Sequence, residues 1–224
     1  MRLAWTVGFI LALALGCAPR TELTPAPSAQ RLSDRIGAAL AEVAGVRVIV
    51  DPNQWDGQPA DLTRLLPLHV TIDNQSGKLL RLRDHEFKLV TTSSIATALP
   101  PYQIAPTVGS PRSHPTFHSQ RFWIAPHQSS HFAHMYPWRD PFPLDHGYYR
   151  YHYGLWGDRP PTQDMIERAI PEGVVEEGGM IAGFLYFRQI DPDITQLRFT
   201  FELIDAKTAE SFGEVSIPFE VVET

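Results

Sequence analysis

Residues 178–188 (GGMIAGFLYFR) constrain the fold most, because this stretch is apolar on both faces of an extended chain. Neighbouring side chains of a β-strand point to opposite faces, so Leu185 and Phe187 would share one face and Phe184 and Tyr186 the other. A strand without a wet face is typical of a central position in a sheet. One face would then lie in the core, and another part of the chain would cover the second.

Alternating apolar residues predict further strands on both sides of this stretch, each with one wet face. Their apolar positions are Val46, Val48 and Val50; Leu66, Leu68, Val70 and Ile72; Leu80 and Leu82; Phe87 and Leu89; Leu197, Phe199, Phe201 and Leu203; and Val215, Ile217, Phe219 and Val221. The hairpin-like links between them favour antiparallel pairing. The sequence therefore predicts a mainly β protein, an antiparallel immunoglobulin-like β-sandwich with a long irregular insertion and one or two short helices.

Local patterns predict two short helices and one sheet edge. Residues 31–44 carry four apolar side chains at helical spacing, which predicts a short amphipathic helix. Residues 161–171 predict a second helix, which Thr162 would cap and Pro171 would end. Pro218 lacks an amide donor and falls in the last predicted strand, so we expect that strand at a sheet edge.

The chain contains one cysteine, Cys17, which follows an arginine and an apolar run at the N-terminus. One cysteine excludes an intrachain disulfide and a thiolate zinc site. As a helix the apolar run would span about 20 Å, short of the ~30 Å hydrocarbon core, so it predicts a signal peptide. The small residues before Cys17 resemble the bacterial lipobox, although Ala14 stands where leucine is commonest. The alternative is an ordinary secretory signal with an incidental cysteine.

The lipobox resemblance implies a lipid-anchored protein of the bacterial cell envelope. It implies that Cys17 is acylated, with palmitate-type chains, and becomes the new N-terminus; several such chains anchor a protein stably to a membrane. Ala18 follows the cysteine in place of aspartate, which implies the outer membrane, facing the periplasm. The predicted organisation is a lipoprotein signal peptide at 1–16, a linker from the anchor at 17–30, and one β-sandwich domain at 31–224.

A segment at 101–160 interrupts the predicted strands and concentrates the rings of the chain. It holds 13 of the 24 aromatic residues and shows no sustained period of a helix or a strand. Tyrosine and tryptophan dominate binding hot spots, so Trp138, Tyr148, Tyr151 and Trp156 form a candidate binding surface for a glycan or an envelope protein. The alternative is that most of these rings lie on the outer face of the central strand and only wall the domain.

Three histidines of this segment form a candidate metal site. His127, His131 and His134 stand at spacings of four and three, which on a helix would place their imidazoles on one face. Imidazole suits zinc or copper(II). Against this site, the local sequence is a poor helix and no carboxylate lies nearby in the sequence to orient the rings. Histidines of a loop rich in proline and tyrosine are more often polar companions of the aromatic rings.

Several distinctive stretches follow one another along the chain: 98–102 (ALPPY), the aromatic and proline-rich segment, 169–173 (AIPEG), and then Gly178 and 183–187 (GFLYF). In this order they resemble a family of uncharacterised bacterial lipoproteins. The resemblance covers most of the mature chain and implies the envelope location and the β fold. Because that family carries no assigned activity, it implies no catalytic residues.

Charge and motifs favour a structural or binding role. The formal net charge of −6 lacks the basic balance of a nucleic-acid-binding protein. The sequence has no phosphate-binding glycine loop, nucleophile elbow, HExxH or CxxC motif, so no catalytic residue is predicted and no enzyme is expected. We expect a membrane-anchored envelope module with an envelope protein or glycan partner and no cofactor. A zinc- or copper-binding protein is the alternative.

Overall fold

The computed structural model describes residues 21–57, 65–101, 117–129, 132, 134–138 and 163–223. These residues form twelve β-strands, one short α-helix and a 3₁₀ turn. The strands are β1 (Thr21–Pro25), β2 (Gln30–Arg31), β3 (Ala39–Val43), β4 (Val46–Asp51), β5 (Leu65–Asn74), β6 (Leu80–Leu82), β7 (Phe87–Val90), β8 (Ile95–Thr97), β9 (His118–Ile124), β10 (Gly173–Arg188), β11 (Gln196–Asp205) and β12 (Ser211–Glu223). Helix α1 is Gln163–Arg168, and the 3₁₀ turn is Asp84–Glu86. The predicted second helix is thus confirmed.

The strands belong to one antiparallel sheet that is nearly barrel-shaped. Its order is β1-β12-β11-β6-β10-β5-β4-β3-β2, with the β7–β8 hairpin joined to β11 and β9 joined to β10. The sheet curves round until β12 approaches β3: a Cβ atom on Gly213 would lie 3.0 Å from Val43 Cγ1. The mainly β, antiparallel prediction is confirmed. The immunoglobulin-like sandwich is not confirmed, because the strands make one continuous sheet.

Strand β10 is the central strand that the sequence predicts, and it is longer than predicted. It pairs with β5 and β6 along one side and with β9 along the other. Residues 181–187 are all buried, so both faces are covered as expected. On the outer face, the Trp55 ring lies edge-on to Phe184 (5.1 Å between centroids), and Tyr186 Oη donates to Met165 O at 3.1 Å. The insertion is predicted to supply this cover; in the described residues Trp55 and α1 contribute to it.

The helix predicted at residues 31–44 is wrong. The chain there forms β2 and β3, and β3 makes a hairpin with β4 through a two-residue turn of Ala44 and Gly45. Their φ angles are 50° and 80°. Positive φ at both central residues is the type I′ geometry, whose twist matches that of paired strands. Ile36, one of the four apolar residues at helical spacing in residues 31–44, is fully exposed.

The predicted linker at 17–30 is wrong from Thr21 onward. Strand β1 pairs with β12 from Thr21 to Pro25, and Leu23 is buried in the core. The chain then turns into β2 at Gln30. The domain therefore begins no later than Thr21.

The edge position predicted for the last strand is also wrong, since β12 lies between β11 and β1. Pro218 pairs with Arg198 of β11, and its carbonyl oxygen accepts from Ala26 N at 3.1 Å. The amide and carbonyl of one residue in an antiparallel strand point to the same neighbour, so the missing N–H faces Ala26. The Ala26 carbonyl accepts from Ala29 N at 2.9 Å instead, so position 218 does not need a donor.

Gly173 begins β10 at its crossing with β9, and any side chain there would collide. A Cβ atom would overlap the Trp123 carbonyl oxygen and the Phe122 ring. We expect Gly173→Ala to lower the free energy of unfolding by about 2 kcal/mol, the usual cost of overpacking, in urea denaturation. Gly77→Ala is the control, because no atom lies within 4 Å of its Cβ position and only its φ of 73° opposes the change. Equal losses in the two variants would contradict the collision.

Within the described part of the chain, helix α1 is too short to cross a membrane, and no other helix is a candidate.

Candidate functional site

An open cleft of about 360 Å³ lies on the outer face of the sheet, over β10. The loop after β4, strands β5 and β9, the end of α1 and the middle of β10 contribute to it. Its lining residues are Gln54, Asp56, His69, His118, Arg168, Ala182, Gly183 and Phe184. The cleft therefore combines polar walls with a floor of small and apolar residues.

Two histidines flank the floor from opposite sides. His69 of β5 pairs with Phe184, and His118 of β9 pairs with Ala182, two residues back along β10. Directly paired residues of an antiparallel ladder lie on one face, so both rings project over the same surface of β10. Neither imidazole makes a hydrogen bond to a residue that the structure describes.

The environment of His69 favours the neutral form of its imidazole. Burial lowers the pKa of His69 below its usual 6.5, the Asp51 carboxylate opposes this, and the Arg35 and His118 side chains reinforce it. The ring also lies edge-on to Phe184, with 5.1 Å between centroids. A neutral imidazole offers one donor and one acceptor, so it can bind a partner from either side of a hydrogen bond.

Arg168, at the end of α1, forms another wall of the cleft, and its guanidinium is already paired with carboxylates. Its Nε donates to Asp164 Oδ1 at 3.0 Å, its Nη1 contacts Asp56 Oδ1, and its guanidinium lies 5.8 Å from the Trp55 ring centroid. Gly183 lets this wall approach the strand, because a Cβ there would lie 2.9 Å from the Arg168 carbonyl oxygen. The loop after β4, helix α1 and strand β10, which are distant in sequence, are thus held together beside the cleft.

A second polar cluster, which we call the buried acid cluster, lies where β6, the 3₁₀ turn and the start of β10 meet. It comprises Asp84, Glu86 and Glu172, each at most 3% exposed. Glu172 Oε1 accepts from Asp84 N at 3.2 Å. Glu86 is bound by Arg81, with 2.7 Å between Arg81 Nη2 and Glu86 Oε1.

Asp84 and Glu86 of the buried acid cluster hold protons more tightly than usual. Burial, followed by the Glu172 and Glu86 carboxyls, raises the pKa of Asp84 well above its usual range. Burial raises the pKa of Glu86 to about 7, although Arg81 opposes the change. Asp84 Oδ2 is buried without a hydrogen-bond partner among the described residues. A buried carboxyl in this setting is stable when it is protonated.

The described part of the structure does not place the three predicted metal-binding histidines at one site. His127 Nε2 lies 3.2 Å from Glu172 Oε2 in the buried acid cluster, whereas His134 is exposed and His131 lies outside the described residues. Within the described ranges, no three side chains of histidine, cysteine, aspartate or glutamate are placed to hold a metal ion. The predicted metal set stays a prediction.

The predicted binding surface and lipid site fall mostly outside the described residues. Trp138 is described and packs, partly buried, against Ala125 and Val174, which agrees with a ring that walls the domain. Tyr148, Tyr151, Trp156 and Cys17 lie outside the described ranges, so their roles stay predictions.

Sequence reasoning missed the residues that the structure makes most informative. His69 alternates with apolar residues on β5, a sequence pattern that is typical of a solvated surface histidine. Glu172 follows Pro171, where the second helix is predicted to end, and its sequence context indicates no buried contact. The sequence carried no carboxylate near His127, yet the fold brings Glu172 to it from 45 positions away. A buried glutamate between Pro171 and Gly173 leaves no local signal.

Comparisons with protein-family models, with curated proteins and with solved structures found no match.

Proposed function

We propose that this chain is a lipid-anchored binding module of the bacterial envelope and that the cleft over β10 is its binding site. One observation carries the binding role: His69 and His118 project over the floor of an open cleft imidazoles that make no hydrogen bond to a described residue. Unpaired polar groups that converge on a concave surface are the usual mark of a ligand site. The floor is part of the central strand, which is paired on both sides, so the site is rigid before a ligand arrives.

The anchoring half of the proposal rests on the sequence. Cys17 at the end of a short apolar run supports acylation and an outer-membrane location facing the periplasm, with an envelope protein or glycan as partner. The net charge of −6 supports a partner other than nucleic acid. The immunoglobulin-like sandwich also stays a prediction, and the binding role does not depend on it.

Cys17→Ser is expected to abolish attachment to the membrane, because the thiol that would carry the lipid is lost. Cells that express the full-length chain would be fed a palmitate analogue and fractionated. The wild-type protein should take up the label and sediment with membranes, whereas the variant should do neither. A Ser28→Ala variant should behave as the wild type. A labelled Cys17→Ser protein would overturn the anchor.

A metal-binding role is the second candidate, and the contact between His127 and Glu172 favours it. A carboxylate hydrogen-bonded to one nitrogen of an imidazole is the usual arrangement behind a metal-ligating histidine. His131 and His134 would have to supply the other ligands. Purified full-length protein with a stoichiometric zinc or copper ion would favour this role, and loss of the ion in His131→Ala would assign it.

A further inference from the structure

The charge of the cleft argues against an ionic ligand. Arg168 is the only permanent cation among its described lining residues, and the carboxylates of Asp56 and Asp164 already compensate it. An anion would have to displace one of them. Burial lowers the pKa of His69 and so disfavours its charged form. A divalent cation is disfavoured as well, because the described residues do not supply three converging ligands.

The hydrogen-bonding groups of the cleft are mixed in kind. An imidazole in its neutral form, which burial favours for His69, offers one donor and one acceptor, and His118 adds a second ring. Gln54 adds an amide oxygen, since its Nε2 is engaged with Asp51 at 2.9 Å. An anion needs donors and a cation needs acceptors, whereas a hydroxyl both donates and accepts. The set therefore fits a ligand that carries several hydroxyl groups.

The size and floor of the cleft agree with one or two sugar rings. Its volume of about 360 Å³ lies near the lower end of small-molecule sites, which is about 300–1,000 Å³. Ala182 leaves depth above β10, and Phe184 gives the floor an aromatic edge. A sugar ring has apolar C–H faces as well as hydroxyl edges, so it could rest on this floor and reach the walls.

We propose that the cleft binds a neutral saccharide, one or two rings of an envelope glycan, held between His69, His118 and Gln54 above Ala182. This assignment rests on the proposed binding role and specifies its ligand. His69 and His118 would bind ring hydroxyls from opposite sides of β10, and Gln54 would accept from a third.

Titration of the full-length protein with di-N-acetylchitobiose and with maltose tests the proposal. The protein should be held in a detergent without a sugar headgroup, and binding should be followed by saturation-transfer NMR and by tryptophan fluorescence. We expect at least one of these neutral disaccharides to bind. His69→Ala and His118→Ala should each weaken binding roughly tenfold, because each removes hydrogen bonds worth about 1.4 kcal/mol. Ala182→Leu should abolish it by filling the cleft without removing a polar group.

The controls separate this site from others. His134→Ala, which changes an exposed histidine outside the cleft lining, should bind as the wild type does. Urea denaturation of each variant shows whether a loss of binding is a loss of folding. Glucose 6-phosphate and inorganic phosphate are the charged probes.

Three results would overturn the saccharide assignment. The first is binding of phosphate or of glucose 6-phosphate but not of the neutral sugars, which would make the cleft an anion site. The second is sugar binding that all three cleft variants retain. The third is no binding of any probe by a folded protein. In this last case, co-purification of an envelope partner that is lost in Ala182→Leu would keep the binding role and reject only the saccharide.

Discussion

Replacing Glu172 by alanine is expected to lower the free energy of unfolding by about 4 kcal/mol. Glu172 is 2% exposed; its Oε1 accepts from Asp84 N, and its Oε2 is hydrogen-bonded to His127 Nε2, both at 3.2 Å. Each buried polar group left without its partner costs about 1–3 kcal/mol. Because the two partners belong to different parts of the chain, the loss should loosen the junction between the 3₁₀ turn and the loop after β9.

Urea denaturation at pH 5 measures this effect at a pH where the raised pKa of Asp84 favours its protonated form, which reduces the repulsion between carboxyls. Glu172→Gln should lose less than Glu172→Ala, since its amide oxygen can still accept one of the two bonds. Glu210→Ala removes an exposed carboxylate and should change stability by no more than about 0.5 kcal/mol. If Glu172→Ala resembled Glu210→Ala, the buried acid cluster would not contribute to the stability of the domain.

Stability is expected to fall as the pH rises from 4.5 to 8, by about 3 kcal/mol from Glu86 alone. Its pKa rises from 4.5 to about 7 on folding, so between these values the folded state holds a proton that the unfolded state has released. The unfolded state then binds fewer protons, and stability decreases with pH. Asp84, whose pKa is raised in the same direction, adds to the loss. His69, whose pKa is lowered, acts in the opposite direction.

Asp84→Asn separates these contributions, because an amide keeps the shape of the protonated carboxyl and cannot ionise. The variant should be more stable than the wild type at pH 8 and close to it at pH 4.5. Asp193→Asn, at an exposed turn, should follow the wild type at every pH. Denaturation midpoints across this range measure the effect, and a wild-type protein that gains stability from pH 5 to pH 8 would contradict it.

The strands that could be predicted are those whose pattern one buried face determines. In β11 and β12 every second residue enters the core, and in β10 both faces are buried, so hydrophobic periodicity alone finds them. For residues 31–44, hydrophobic periodicity wrongly predicted a helix, because four apolar residues at helical spacing also occur where a chain bends between two strands. The Ala44–Gly45 turn was the signal that opposed a helix.

The candidate site could not be predicted, because the surroundings of its side chains are created by the fold. His69 looks the same in sequence whether β5 faces water or lies beside Phe184, Trp55 and the end of α1. Glu172 becomes buried only where β10 crosses β6 and β9. Both positions depend on contacts between segments far apart in the chain, and residue periodicity carries no record of such contacts.

The early start of β1 sets how closely an anchored domain would be held to the bilayer. Thr21 is four positions beyond Cys17, a reach of at most about 14 Å, whereas a linker extending to residue 31 would allow about 50 Å. If Cys17 carries a lipid as proposed, so short a connection would limit both the distance of the domain from the lipid surface and its orientation to it. Tension from the membrane would then be transmitted through the five-residue pairing of β1 with β12, and this ladder would be the mechanical link between anchor and domain.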